Sequence, residues 1–420
     1  MFSDKIIHFF NHVFSGYLNR TGRLFKIAVL FSFLWGIVPE GFCSTSLPQC
    51  LRALGPDDSM VVADPSGRII FKHNISVKRI PASTLKLLTS LSAIDNLGPE
   101  YRFKTKFYSG RRNSLVIKGY GDPLLISEIW LKIAEGMSHK MKEVNDIIVD
   151  DSYFHPNIVI PGRKHSTNPY DAPVGALCAN FNTVFFSKGR DGRFISAEPQ
   201  TPIIPFALKR IKSLGMNQGR YTFSHKPGDA ARYAGELFLH FLANKGVKFR
   251  GEVLAGSVEE GDSLIYEYYS DFTLEELLMK MLEFSNNFIA NQLIISMGAH
   301  AHNPPGTLEK GMRVVRDYAK LKVGLTDINM VEGSGISRKN RLSAIDMLAI
   351  LQAFRPYRRL LKKEGPFLYK TGTLRHIRTR AGFYDKGDGA PYTFAIFLNR
   401  QGPNIESLMK AIKGMAERNL

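Results

Sequence analysis

The sequence predicts an α+β protein in which a helical block is interrupted by an inserted, mainly β stretch. Three observations point there. A hairpin-and-helix pattern begins at residue 59, short β-type runs fill residues 102–263, and helical texture returns from 272. The chain has 420 residues, 44% hydrophobic and 22% charged, which is enough apolar material for a sizeable core and excludes a disordered chain.

The elements follow in order. "SMVVADPSGRIIFKHN" (59–74) has two short apolar runs about an Asp-Pro-Ser-Gly turn, which is a hairpin signal. A helix is expected from near Ser83 through "LKLLTSLSAIDNLG", stopped by Gly98-Pro99. Then come "FKTKFY", "SLVIKG", "DIIVDD", "NTVFFS" and "RFISAEP", interrupted by one helical stretch at 229–245. From 272 the pattern predicts helices over "TLEELLMKMLEFSNNFIANQLIISMG" and "SAIDMLAILQAF", two β-type runs, "GPFLYKTG" and "AGFYDKG" continuing to "PYTFAIFLN", and a closing helix. The expected division is 47–101 with 264–420 as one domain, and 102–263 inserted into it.

The N-terminus reads as an export signal over residues 1–43. Arg20, Arg23 and Lys26 precede the apolar run 27–38, which is too short to span a bilayer comfortably, and small residues follow it. An uncleaved anchor is the other reading. Removal of 1–43 leaves Cys50 and Cys178, so at most one disulfide can form and none is required. The net charge of +18 becomes +16 without that segment, which carries four basic and two acidic residues. Such a balance favours anionic partners, and export argues against nucleic acid. Association with a membrane or wall through the basic surface fits this balance, and a merely soluble basic surface fits it equally well.

The chemistry is in "RIPASTLKLL" (79–88). Ser83 and Lys86 are three positions apart, so on a helix they share a face. A serine hydroxyl is a weak nucleophile that needs an adjacent base, and a lysine buried among Leu85, Leu87 and Leu88 is pushed toward its neutral, basic form. Alone, the pair carries little weight. It is followed, in order, by Ser285-Asn286-Asn287 and by Lys370-Thr371-Gly372-Thr373, and S-x-x-K, S-x-N and K-T-G together resemble the motif set of the penicillin-binding and β-lactamase fold.

Around these motifs the chain resembles the D-alanyl-D-alanine carboxypeptidase/endopeptidase family, the class C low-molecular-mass penicillin-binding proteins. The resemblance rests on "PASTLKLLT", "GYGDPLL" (119–125), "VDDSYF" (149–154), "YDAPVGALCANFNTV" (170–184), "FSNNFIANQL", "EGSGISRKNRLSA" (332–344) and "YKTGTLRHIRTRAGFY". It implies a transpeptidase-like domain of helices around an antiparallel sheet, with the insertion between the first two motifs. The 198 residues between Lys86 and Ser285 imply a reduced outer domain.

The resemblance also implies roles. Ser83 would be the nucleophile, Lys86 its base and Ser285 a proton relay to the departing amine. Asn287 would hold the substrate backbone, and Lys370, Thr371, Gly372 and Thr373 its terminal carboxylate and strand. The N–H groups of Ser83 and Thr373 would form the oxyanion hole. Implied partners are peptidoglycan stem peptides and β-lactam inhibitors; no cofactor and no metal are expected, and the location would be periplasmic.

A β-lactamase on the same fold is the rival enzyme, disfavoured because no E-x-x-L-N element supplies a deacylating glutamate. A non-catalytic wall-binding protein is the rival from outside enzymes. Asp150-Asp151 reads as a solvated turn, and His300 and His302 as surface residues in a Pro/Gly loop. Glu332 stands where aspartate is commoner, and "EGSGISRKNRLS" is expected to pack beside the site. Arg375, Arg378 and Arg380, in "LRHIRTR", are expected to form a basic loop at its mouth.

Overall fold

The computed structural model describes residues 49–216, 218–387 and 389–418, so the expected signal segment lies outside the described residues. A short helix α1 (Gln49–Arg52) precedes the predicted hairpin, β1 (Asp58–Ala63) and β2 (Ile69–His73). A 3-10 turn (Ala82–Leu85) runs directly into α2 (Lys86–Leu97), so Ser83 sits in the tight entry turn rather than in the α-helix itself. Gly98 ends α2 at φ 86°, donating its N–H to the Ile94 carbonyl. Helix α2 is buried on every side from Lys86 to Ile94, and its serines meet the cost of burial locally. Ser90 donates to the Lys86 carbonyl and Ser92 to the Leu88 carbonyl.

The next stretch contains β3 (Lys104–Ser109), β4 (Leu115–Gly119), α3 (Ser127–Ser138), β5 (Glu143–Val144), β6 (Ile147–Asp150), β7 (Thr183–Lys188), β8 (Phe194–Ser196), α4 (Pro205–Ser213), β9 (Gly219–Thr222), α5 (Asp229–Asn244), β10 (Lys248–Phe249), β11 (Val253–Ala255) and β12 (Ser263–Tyr269). A five-stranded sheet orders these strands β11-β6-β4-β3-β12, with β4, β6 and β11 mutually parallel, and a three-stranded sheet is ordered β8-β7-β9. Because β12 pairs with β3, the sheet of this stretch extends to Tyr269, beyond the boundary expected at 263.

Three helices, not one, interrupt the strands. Helix α3 has its signal in Ile129, Trp130, Ile133, Ala134 and Met137, all buried at helical spacing, and it packs against α5. Asp150 and Asp151 are not a solvated turn. Asp150 is buried and pairs with Lys118 at 3.0 Å, and Asp151 accepts the Leu177 N–H, with burial raising its carboxyl to about 7. Cys50 and Cys178 are both free: the former donates to the Ser407 carbonyl and the latter to that of Asp122.

The chain then forms α6 (Leu274–Glu283), α7 (Asn287–His302), α8 (Leu308–Tyr318), α9 (Ala344–Phe354), β13 (Lys362–Glu364), β14 (Phe367–Leu374), β15 (Ile377–Tyr384), β16 (Tyr392–Leu398) and α10 (Ile405–Glu417). His300 and His302 belong to the last turn of α7, not to a loop. The six-stranded sheet runs β13-β14-β15-β16-β1-β2 and is antiparallel throughout.

Both of its faces are covered. Val61, Ala63, Ala395 and Phe397 face the helical core of α2, α7 and α9, while Met60, Val62, Phe394 and Ile396 face Leu408 and Ile412 of α10. Burial on both faces explains why "FAIFL" (394–398) is an unbroken apolar run. The expected basic loop is instead a tight hairpin. Only Arg375 and His376 turn, Arg378 is exposed opposite Thr373, and Arg380 pairs with Glu406 while lying over the Tyr369 ring.

Helices α7 and α8 meet at Gly298 and Gly311. A Cβ on Gly311 would fall 2.0 Å from the Ile294 carbonyl oxygen. Gly311→Ala is therefore expected to force the two helices apart and to destabilise the fold by at least about 2 kcal/mol. Urea unfolding checks this; an unchanged midpoint would mean that the contact is not close-packed.

Candidate active site

The segment before Ser83 is pinned from two sides. Arg79 exchanges backbone hydrogen bonds with Leu342, Ile80 donates to and accepts from the Asn399 side chain, and Thr379 of β15 donates to the Pro81 carbonyl at 2.8 Å. Ala82 is then held at φ 47°, a left-handed conformation that a residue with a Cβ rarely adopts. Two glycines enclose that turn. A Cβ on Gly335 would lie 1.9 Å from the Ala82 carbonyl oxygen, and one on Gly372 would lie 2.8 Å from the Ser83 nitrogen. The glycine of K-T-G is thus required by backbone approaching backbone.

Lys86 is 0% exposed. Its Nζ lies 3.0 Å from Ser83 Oγ, 2.8 Å from Asn287 Oδ1 and 2.7 Å from the Ser334 carbonyl oxygen. Burial pushes its pKa well below the ordinary lysine value, the nearby Lys370 charge pushes the same way, and Glu332 pulls it back. A neutral amine has two N–H bonds and one lone pair. The Asn287 and Ser334 oxygens can only accept, so they take the two N–H groups, and the lone pair is left facing Ser83. The arrangement can deprotonate the serine.

Lys370 is 3% exposed, donates to the Thr371 carbonyl at 2.9 Å, and is lowered by burial to about 7. Ser285 sits at the break between α6 and α7 with φ 55°, and Asn286 caps α7 by accepting the Ile289 N–H at 3.0 Å. That cap is the work of the middle residue of the S-x-N triplet. The motif residues Ser83, Ser285, Asn287, Thr371 and Thr373 line one cleft of about 540 Å3, with Lys86 and Lys370 buried behind it.

The cleft's wall also includes Asn286 and, as its mainly apolar part, Pro169, Tyr170, Phe181, Phe284, Phe288, Ile336 and Leu374. Tyr170 and Phe181 come from the 102–263 stretch, and sequence reasoning did not assign them to the site. Among the described residues no group of three or more His, Cys, Asp or Glu side chains could hold a metal ion, and no helix is long and apolar enough to cross a membrane.

A serine paired with a buried lysine, a second serine on a helix break and a K-T-G run on β14 define a serine acyl-transfer enzyme of the penicillin-binding fold. The sequence profile of the D-Ala-D-Ala carboxypeptidase 3 (S13) family matches residues 58–217 and 212–359. The chain belongs to that family and is a serine-type D-Ala-D-Ala carboxypeptidase. It is 24% identical over 425 residues to the D-alanyl-D-alanine carboxypeptidase DacB of Haemophilus influenzae, covering 84% of this chain and 88% of that one. The crystal structure of penicillin-binding protein 4 from the same organism superposes with TM-score 0.70 at 18% identity, covering 88% and 98%, and that protein has also been solved with a β-lactam. A predatory peptidoglycan endopeptidase of Bdellovibrio bacteriovorus superposes with TM-score 0.51 at 17% identity, covering 86% and 92%.

Burial of Lys370 has a measurable cost. Burial pushes the amine down from its ordinary 10.5 to about 7, so between these values the unfolded chain binds the extra proton and stability rises with pH. Below pH 7 the penalty is constant and complete. Lys370→Met should therefore melt at a higher temperature than the unsubstituted protein below pH 7, with the gap closing as pH approaches 10.5. Calorimetry across that range checks it; a gap independent of pH would show that the buried amine is not the cause.

Proposed function

We propose that Ser83 is the acylated nucleophile and Lys86 its general base. Ser83 Oγ attacks the carbonyl of the penultimate D-Ala as its proton passes to Lys86. The new C–O bond replaces the peptide C–N bond, and Ser285 relays the proton to the departing D-Ala nitrogen. Water then attacks the Ser83 ester and releases the shortened peptide. Asn287, whose Oδ1 is occupied by Lys86, keeps its amide N–H groups for the substrate backbone. Lys370, Thr371 and Thr373 receive the terminal carboxylate, and the N–H groups of Ser83 and Thr373 polarise the carbonyl.

The observation that carries this reading is the fully buried amine 3.0 Å from a serine hydroxyl in the wall of the cleft. The substrates are peptidoglycan stem peptides, either free D-Ala-D-Ala termini or D-Ala cross-links, and penicillins acylate the same serine. Such substrates, together with the N-terminal charge-and-apolar pattern, fit an exported, periplasmic enzyme. Residues 102–269 form an insertion that lends one wall to the catalytic unit.

Peptide mass mapping after exposure to a penicillin should find the adduct on Ser83 and find none in Ser83→Ala. Lys86→Arg should be nearly as inactive as Lys86→Ala, since arginine keeps the charge but cannot lose its proton. Recovery of the acylation rate by Lys86→Arg to within about tenfold would overturn the base assignment, because that corresponds to only ~1.4 kcal/mol of barrier.

A further inference from the structure

Glu332 is a carboxylate with 0% exposure in the connection between α8 and α9. It accepts from the Ser334 N–H (2.7 Å), the Ser334 hydroxyl (2.6 Å), the Gly335 N–H (2.8 Å), the Ser337 N–H (3.2 Å) and the Asn340 side-chain amide (2.7 Å). Five donors from one loop converge on two oxygens, so the path of residues 332–340 is wrapped around this side chain. The loop is also tied outward. Gly333 donates to Asn291 of α7, and its carbonyl accepts from Thr89 of α2. What the loop presents to the site is the Ser334 carbonyl, 2.7 Å from Lys86 Nζ, and Gly335 against the Ala82 carbonyl.

We infer that Glu332 is a positioning residue for acylation: its carboxylate folds the loop so that the Ser334 carbonyl engages one N–H of Lys86 and the amine's lone pair is left to Ser83. The inference rests on the assignment of Lys86 as base. Without the Ser334 acceptor, Asn287 alone orients the amine, which can then rotate about its Cε–Nζ bond and turn an N–H toward Ser83. Glu332 also acts through its charge. The charged groups that bear on Lys86 are Lys370 on β14 and Glu332 on the loop, and they oppose one another. Removing the carboxylate leaves Lys370 unopposed, so Lys86 gives up its proton at lower pH.

The test is the rate of acylation by benzylpenicillin as a function of pH, with melting temperatures measured alongside, in Glu332→Gln and Glu332→Asp. Glutamine keeps the shape but places an amide nitrogen against donors. It should lower the alkaline plateau roughly 100-fold, the loss typical of a misplaced reacting group, and move the acidic limb to lower pH. Aspartate keeps the charge on a shorter arm, so it should leave the limb in place and recover part of the plateau. A glutamine variant within about threefold of the unsubstituted plateau overturns the inference. So does a glutamine variant whose lost rate comes with a fallen melting temperature and an unmoved limb, because that is loop destabilisation alone. Should the glutamine variant fail to fold, Glu332→Asn decides, and an undiminished plateau with an unmoved limb there overturns the inference. Failure of the underlying reading is separate: an active Lys86→Arg sinks the base assignment whatever Glu332 does.

Discussion

The structure depends on keeping one amine out of water. A lysine buried without a counter-charge is costly in its charged form, and the cost shrinks when the group sheds its proton. Lys86 is enclosed by α2, the start of α7 and the 332–340 loop, each of which contributes either apolar cover or a carbonyl acceptor. The apolar residues that follow Lys86 bury the helix, and the same burial pushes the amine's pKa well below the ordinary lysine value. In the proposed mechanism, core packing and nucleophile activation are one physical effect.

Around that amine the backbone is strained where substrate has to approach. Ala82 and Ser285 both adopt positive φ, and the turn at Ala82 is clasped by glycines from two distant parts of the chain. Such conformations persist only when neighbouring contacts over-determine them. Here those contacts are the Arg79–Leu342 bridge, the Asn399 pair and the Thr379 hydrogen bond to Pro81. The 102–263 stretch adds Tyr170 and Phe181 as an aromatic wall, so the motif residues come from one part of the fold and some of the cleft's shape from another.

Much of this was legible in the residues. Spacing alone placed Ser83 and Lys86 on one face, and residues of the three short motifs do meet at one cleft. The hairpin at 58–73 and the helix ending at Gly98 followed from turn chemistry. Three things were not legible. Helix α3 was hidden because Trp130 and the β-branched Ile129 and Ile133 have strand-type preferences that masked their helical spacing. Asp150 and Asp151 looked solvated because sequence does not show that Lys118 and the Leu177 N–H would reach them. The basic run after Thr373 looked like a loop because the register of β14 with β15, which leaves only Arg375 and His376 to turn, is set by pairing between strands rather than by local preference. Glu332 was noted only as a departure from aspartate; its five donors come together only in the folded loop.

The central claim is that Lys86 is uncharged when the enzyme works. Carbon-13 labelling of lysine Cε, with the Lys86 resonance assigned by its absence in Lys86→Met, reports that charge directly. The account predicts that the Lys86 resonance reaches its neutral position well below the ordinary lysine value of 10.5. An ammonium signal that persists until about that value would contradict it.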